Sequence, residues 1–330
     1  MTQQKMVEDV AEECSLTDRD LISILDFSPE EIGQLFDLTQ AVKDSPASFH
    51  SALKGKQIVL FFEKASLRTR LTFEAGMMSM GGTSIFVDQT RARLGEREPL
   101  SDIAHNVERW VHGVVLRTYA HETVTEMAKY ASIPVINALS DLEHPCQAFA
   151  DFFTLREKFG DLRKVHLAYV GDGNNMAHSL MLAAASLGST ISIVCPATHA
   201  PGKEITAAAL EMAAGTGAKI HVVHDPVAGV KGANAIYTDV WASMGQEDEA
   251  QERARIFAGY QVNETLFAHA APDAIFMHCL PAHRGQEVAD GIIGSHRCMV
   301  FDQAENRMHI QKAILLSLLG GKYSPGTFKE

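Results

Sequence analysis

The sequence predicts an α/β protein of two domains, each a parallel sheet flanked by helices. Three observations carry this. From Gln57 onward, short continuous apolar runs alternate with segments of helical periodicity, and such runs are what strands covered on both faces require. The alternation pauses at Gly160-Asp161 and then begins afresh. At 330 residues the chain also exceeds the size at which a single core keeps growing.

Taken in order, Leu16 to Val42 carries two helical segments. The second opens on Ser28-Pro29-Glu30-Glu31, which has capping-box spacing and proline at the first helical position. Gln57 leads into Ile58-Val59-Leu60-Phe61-Phe62, a strand expected at a sheet centre. Ser66 is the natural N-cap of the following helix, in which Leu67, Leu71, Ala75 and Met78 recur at helical spacing until Gly81-Gly82 supplies a left-handed stop. Thr83 to Val87 is a second strand, and Asp88 to Pro99 a polar loop holding Arg91, Arg93 and Arg97. That loop reads either as solvated surface or as a mobile segment that closes over an anion, in its own or a neighbouring subunit. A helix at Ser101–Trp110, a strand at Gly113–Leu116 with Arg117-Thr118 at its carboxyl end, a helix at Thr123–Tyr130 and a strand at Pro134–Asn137 follow. Asp141 to Gln147 is a loop entering a helix that ends at Phe159. Beyond Gly160 come strands at Val165–Val170, Ile191–Val194, Ile220–Val223 and Ala235–Val240, with helices at Met176–Leu187 and Glu204–Ala214 between them.

Composition excludes several classes. A hydrophobic fraction of 46% with 21% charged residues is that of a globular protein, not a disordered or fibrous one. The net charge of -12 disfavours a nucleic-acid surface, so any anion site must be local. No apolar run reaches membrane-spanning length, and the first residues are acidic without a signal-peptide core, so a cytoplasmic protein is expected. Five cysteines without C-x-x-C pairing suggest reduced thiols.

The stretch Phe61 to Arg70 is the first candidate site. A buried strand runs into hydroxyls and guanidiniums at a helix mouth, where unpaired N–H groups and the dipole favour an anion. Arg68 adds a bidentate fork for phosphate oxygens. The alternative is that Ser66 only caps while Arg70 pairs with Glu74 one turn on. Arg117 stands at the carboxyl end of its strand, where open α/β sheets hold ligands, and His144-Pro145-Cys146-Gln147 again brings polar side chains to a helix start. In the second half, Gly171-Asp172-Gly173-Asn174-Asn175 fails as a dinucleotide fingerprint. Met176 occupies the third glycine position, and the chain reads Val194-Cys195-Pro196 where a ribose-binding acid belongs. A turn whose Asn175 binds a small ligand fits better, the alternative being asparagines that serve turn geometry alone.

Together Ser66-Leu67-Arg68-Thr69-Arg70, Leu116-Arg117-Thr118, His144-Pro145-Cys146-Gln147, Asp172-Gly173-Asn174-Asn175, Asp239-Val240-Trp241-Ala242-Ser243-Met244-Gly245 and His278-Cys279-Leu280-Pro281 resemble the ornithine carbamoyltransferases. The likeness is collinear from about Gln57 to His309. It implies a carbamoyl-phosphate domain at 1–147, an ornithine domain at 148–305, and a C-terminal helix at 306–330 returning to the first domain. Ser66, Leu67, Arg68 and Thr69 would take the phosphate, Arg117 and His144 the carbonyl oxygen, Gln147 the carbamoyl amide, and Arg307 would complete the positive cluster. Asn175, Asp239, Ser243 and the Met244 backbone would hold the head group of L-ornithine, while Cys279 and the Leu280 carbonyl orient its δ-amine. Arg117, His144, Asp239, Cys279 and Arg307 are the residues implied in catalysis, with no metal or organic cofactor.

The resemblance also implies a homotrimer or a multiple of trimers. This sequence departs from the family pattern at Leu67 and His105, and at Arg93, which stands where many ornithine enzymes place a glutamine that reaches carbamoyl phosphate across a subunit boundary. Within enzymes, putrescine, an acylated ornithine and aspartate are the competing acceptors, and Ser243-Met244-Gly245 after Asp239 favours a free α-amino acid. A non-catalytic anion or amino-acid sensor on the same scaffold is the competing class. A zinc set of His144, Cys146, His278 and Cys279 is disfavoured by its spacing.

Overall fold

The computed structural model describes residues 14–242, 245 and 247–320. The chain divides into two compact units, one of Met1–Ala150 with Arg307–Glu330, the other of Asp151–Asn306. The divisions fall inside two helices.

The first unit holds α1 (Pro29–Asp44), β1 (Gln57–Phe62), α2 (Leu67–Ser79), β2 (Thr83–Asp88), α3 (Leu100–Val107), β3 (Gly113–Arg117), α4 (His121–Tyr130), β4 (Val135–Leu139) and the start of α5 (Pro145–Phe159). Its four strands are parallel in the order β2-β1-β3-β4. The unbroken apolar runs are the inner strands: Ile58 to Phe62 and all of β3 are buried, whereas the edge strand β2 leaves Ile85 49% exposed. Ser28 and Glu31 close the expected capping box on α1.

One expectation is corrected here. The first helical segment after Leu16 is only a short 3₁₀ turn, Ile24–Asp26. Tertiary pairing overrides local periodicity: the Leu21 N–H donates to the Val135 carbonyl and the Leu21 carbonyl accepts from Asn137 N–H, which stretches the chain beside β4. The Leu67, Leu71, Met78 stripe does not face the core. These residues are 71%, 53% and 72% exposed, and Thr69, Phe73, Gly76 and Met77 are the buried line of α2. The helix stops as expected, with Gly81 at φ +80°.

The second unit holds the rest of α5, then β5 (His166–Val170), α6 (Asn175–Leu187), β6 (Thr190–Val194), α7 (Lys203–Thr216), β7 (Lys219–Val223), α8 (Pro226–Val230), β8 (Ala235–Thr238), α9 (Ala250–Ile256), α10 (Glu264–Phe267), β9 (Ile275–His278), α11 (Asp290–Ile293) and the first residues of α12 (Val300–Leu319). Its five strands are parallel in the order β7-β6-β5-β8-β9. The sequence reading did not include β9, α8 or the short helices α9 to α11. A four-residue apolar run has too little length to separate strand from helix. From Arg307 onward α12 belongs to the first unit. Among the described residues no helix is long and apolar enough to cross a membrane.

Candidate active site

In the first unit, polar groups collect where β1 and β3 end. Ser66 Oγ accepts the Thr69 N–H at 3.2 Å and donates to Thr69 Oγ1 at 2.9 Å, so the cap that starts α2 also fixes the threonine hydroxyl. Arg117 Nε donates to the Lys64 carbonyl at 3.2 Å, which draws the guanidinium of β3 to the turn before that cap. From α12, Arg307 Nη2 donates to Thr69 Oγ1 and lies 3.4 Å from His144 Nε2. Gln147, in the first turn of α5, is buried. Arg68 is half-buried in the first turn of α2, while the Leu67 side chain turns outward.

Burial pushes the His144 imidazole well below its usual pKa, and the charges of Arg307 and Arg117 push the same way. The ring is therefore neutral at physiological pH. A guanidinium can only donate, so Nε2 is the accepting nitrogen towards Arg307 and the proton resides on Nδ1. Lys64 is likewise lowered, by burial first and then by Arg117, against the upward pull of Asp141 and Glu63. Guanidinium and ammonium groups dominate this end of the sheet, a field suited to a small polyanion.

In the second unit the carboxyl ends of β5, β8 and β9 meet. Thr238 pairs with Val170 on one side and with His278 on the other, so Asp239 and Cys279, each one residue past its strand, become neighbours. Cys279 Sγ donates to Asp239 Oδ1 at 2.9 Å, and Asn174 Nδ2 donates to Asp239 Oδ2 at 3.3 Å. Burial of the sulfur, reinforced by the Asp239 charge, holds the Cys279 thiol well above its ordinary pKa, so it is an S–H donor and not a thiolate. His278 accepts the Leu280 N–H on Nδ1 at 2.8 Å, and its Nε2 donates to Glu287 at 3.2 Å. Leu280 sits at φ +58°, a conformation an unassisted leucine avoids.

The predicted residues thus fall into clear groups. Ser66, Thr69, Arg117, His144 and Arg307 lie together in the first unit, and Asp239 with Cys279 in the second. Arg70 is the surface pair of the plainer alternative, 3.1 Å from Glu74, with its guanidinium 3.7 Å from the Phe86 ring centroid. Of the two asparagines, Asn174 caps α6, its Oδ1 accepting from Met176 and Ala177, while Asn175 is the first helical residue. The glycine at 173 answers to packing, since a Cβ there would lie 2.4 Å from Pro201 N. Arg93 lies over the ring of Tyr119, 4.6 Å from its centroid. Ser243 and Met244 lie outside the described residues.

Of the zinc alternative, His144 and Cys146 belong to the first unit and His278 and Cys279 to the second. Asp239, His278 and Cys279 do bring ligand-type atoms within 4.8 Å of one another, but both ring nitrogens of His278 are already engaged. Sequence reasoning gave no role to Glu63, to the buried Asp172–Arg253 pair at 2.8 Å, or to Glu287. Glu63 and Asp172 stood inside motifs already singled out. Nothing local marks Arg253.

An anion cradle at one sheet's carboxyl end and a carboxylate–thiol pair at the other's are the parts of a two-substrate transferase, and the chain belongs to the aspartate/ornithine carbamoyltransferase family. The family profile described as the carbamoyl-P binding domain matches residues 19–157, and that of the Asp/Orn binding domain matches residues 163–318. Among curated relatives, the ornithine carbamoyltransferase of Pyrococcus abyssi is 47% identical over 309 residues, 93% of this chain and 98% of that protein. The anabolic ornithine carbamoyltransferase of Pyrococcus furiosus is 46% identical over the same shares. The solved structure of the Pyrococcus furiosus enzyme superposes with a TM-score of 0.90 at 45% identity, covering 93% of this chain and 99% of that one. A mitochondrial ornithine carbamoyltransferase from Coccidioides immitis gives 0.84 at 31% identity, covering 92% and 98%.

Proposed function

We propose that this chain transfers the carbamoyl group of carbamoyl phosphate to the δ-amine of L-ornithine, giving L-citrulline and phosphate. The observation that carries the reading is the convergence of Thr69, His144 and Arg307 at the Ser66 cap, in a chain similar over 93% of its length to ornithine carbamoyltransferases. The first unit takes carbamoyl phosphate. The phosphate rests on the α2 N-terminus with Ser66, Leu67 through its backbone, Arg68 and Thr69, and Arg93 adds charge. Arg117, Arg307 and neutral His144 attend the carbonyl oxygen, and Gln147 the amide. The second unit takes ornithine. Asn175, Asp239, Ser243 and Met244 hold its head group, and Cys279 with the Leu280 carbonyl holds its δ-amine.

The chemistry follows from these groups. A neutral amine attacks the carbonyl carbon of a mixed anhydride, charge grows on the carbonyl oxygen, and phosphate departs. One well-placed donor to such an oxyanion contributes about 3 kcal/mol. With its proton on Nδ1, neutral His144 donates only through that nitrogen and without giving the proton up, and the arginines follow the charge as it moves to the leaving group. The Cys279 thiol, held protonated, directs its S–H at Asp239 and leaves its lone pairs for the amine. It is therefore no general base, which leaves Asp239 and the departing phosphate to receive the proton. The amine's ordinary pKa, near ~10.4 by analogy with lysine, makes the rate rise with pH.

A homotrimer working in the cytoplasm is part of the same proposal, and the outward-facing Leu67, Leu71, Met78 and Ile85 support self-association. Light scattering after size exclusion tests the assembly. The activity is tested by citrulline formation from carbamoyl phosphate with L-ornithine, beside putrescine, N-acetylornithine and aspartate. Selective turnover of ornithine, lost in Arg68→Ala, is the expected result. Turnover of another amine in preference would overturn the assignment.

A further inference from the structure

We propose that Glu143 is a positioning residue for carbamoyl transfer: its buried carboxylate ties the turn that presents His144 to the segment Asp20 to Asp26, and so sets where the imidazole stands. The proposal rests on the reading of His144 as a donor to the carbonyl oxygen. Glu143 is 2% exposed and directly precedes His144. Its Oε2 accepts the Ile24 N–H at 3.0 Å, a contact that spans 119 positions. Ile24 opens the 3₁₀ turn Ile24–Asp26, so the carboxylate meets a donor that a helix start leaves without an internal partner. The segment it grips is itself pinned to β4. Asp20 Oδ1 accepts the Val135 N–H at 2.7 Å, the Leu21 carbonyl accepts the Asn137 N–H at 2.7 Å, and Asn137 Nδ2 donates to the Ile22 carbonyl at 2.8 Å. Asp26 Oδ2 then accepts the Ile22 and Ser23 N–H groups at 2.6 and 2.8 Å, which folds the segment onto its own turn.

His144 is thereby held from two sides. After it, its carbonyl accepts the Gln147 and Ala148 N–H groups at 3.1 and 3.2 Å, the first bonds of α5. Before it, the Ser140 N–H donates to the Glu143 carbonyl at 2.9 Å and the Glu143 N–H donates to Ser140 Oγ at 3.2 Å, which closes a tight turn. That turn is small, and Glu143 is where it meets the rest of the first unit through Ile24. The imidazole beyond it is buried, with Nε2 3.4 Å from Arg307 Nη2, near the limit of a hydrogen bond. A turn released from Ile24 would carry the ring out of register with Arg307 and with the carbonyl oxygen it serves, and misplacement by an ångström is enough to cost a large part of a catalytic contact. A backbone N–H asks for an acceptor and not for a charge, so a glutamine carbonyl can take the place of the carboxylate.

The test uses the full-length protein, with citrulline formation read as kcat and as KM for each substrate beside a thermal melt of each variant. Glu143→Ala should lower kcat roughly tenfold, less than removal of the imidazole itself, and leave the KM for L-ornithine unchanged. Glu143→Gln should return kcat to near the wild-type value, because its side-chain oxygen accepts the same Ile24 N–H. Glu143→Asp keeps the charge but draws the acceptor back by one methylene, so it should be slow; it also covers the case in which the alanine variant does not fold. The pair Glu143→Ala, His144→Gln should be no slower than His144→Gln alone, since the first residue acts only through the second. The proposal is overturned if folded Glu143→Ala keeps the wild-type kcat and shows only a lower melting point, which is the pattern of a purely structural latch. It is overturned equally if Glu143→Gln is as slow as Glu143→Ala, or if the two losses multiply in the pair. If His144→Gln itself keeps the wild-type kcat, the reading of His144 as a donor falls and the proposal with it, whereas failure of the latch alone leaves His144→Gln slow.

Discussion

Replacing Arg253 by methionine removes one half of a buried ion pair and leaves Asp172 without its cation. The side chains are 10% and 12% exposed, and their 2.8 Å contact closes α9 onto the turn that carries Asn174. Arg253 Nη1 also donates to the Trp241 carbonyl at 3.1 Å, just ahead of Ser243 and Met244. Breaking a buried pair from one side costs about 3–5 kcal/mol. In a unit of this size that lowers the calorimetric midpoint by roughly 10 °C. The sign with pH is fixed by Asp172, whose pKa is already raised by burial more than Arg253 lowers it. Without Arg253 it rises further, so the folded state holds the proton more tightly than the unfolded chain does. The loss of stability is then greatest at neutral and alkaline pH and shrinks as pH falls and Asp172 protonates. Asp172→Asn with Arg253→Met should recover most of the loss, since no buried charge remains. Differential scanning calorimetry between pH 5 and 8 decides the matter. A single variant within about 1 kcal/mol of wild type, a loss that grows on acidification, or a double variant as unstable as the single would refute the reasoning.

The other predictions concern chemistry. His144→Gln should lower kcat about a hundredfold with a small change in the KM for ornithine, as expected for one lost oxyanion donor, and steady-state kinetics would expose a purely structural role as a drop in stability instead. Because burial holds Cys279 well above its ordinary pKa, sets Cys146 at about 12 and Cys195 at about 11, iodoacetamide should label the native protein at pH 8 far more slowly than the urea-unfolded chain; equal rates would mean that thiolates form in the fold. Ser66→Ala should cost about 1 kcal/mol in chemical denaturation and weaken phosphate binding together, because one hydroxyl both caps α2 and orients Thr69. Since Lys64 loses its proton more readily than a free lysine, phosphate affinity should decline with rising pH earlier than an unperturbed ammonium would allow, and Lys64→Arg should flatten that decline.

What the sequence determined by itself was the set of strands whose burial is written in local composition, and the polar residues placed at their ends. Ile58 to Phe62 and Gly113 to Leu116 are apolar without interruption because helices cover both faces of a central strand, and Ser66 and Gly81 mark a helix whose ends need a side-chain acceptor and a left-handed backbone. Those constraints act over a few residues, so they can be read from a few residues. The tertiary structure decided what depends on partners far along the chain. Leu21 is extended because β4 offers it hydrogen bonds, and Leu67 and Leu71 are exposed because the cap turns Thr69 and Phe73 inward. His144 is neutral first because it is buried and then because the charge of Arg307, 163 positions away, is packed beside it. Asp239 becomes a partner of Cys279 only when β8 and β9 pair. Arg253 finds Asp172 across 81 positions, and no periodicity records that meeting, since an ion pair fixes distance in space and leaves separation along the chain free.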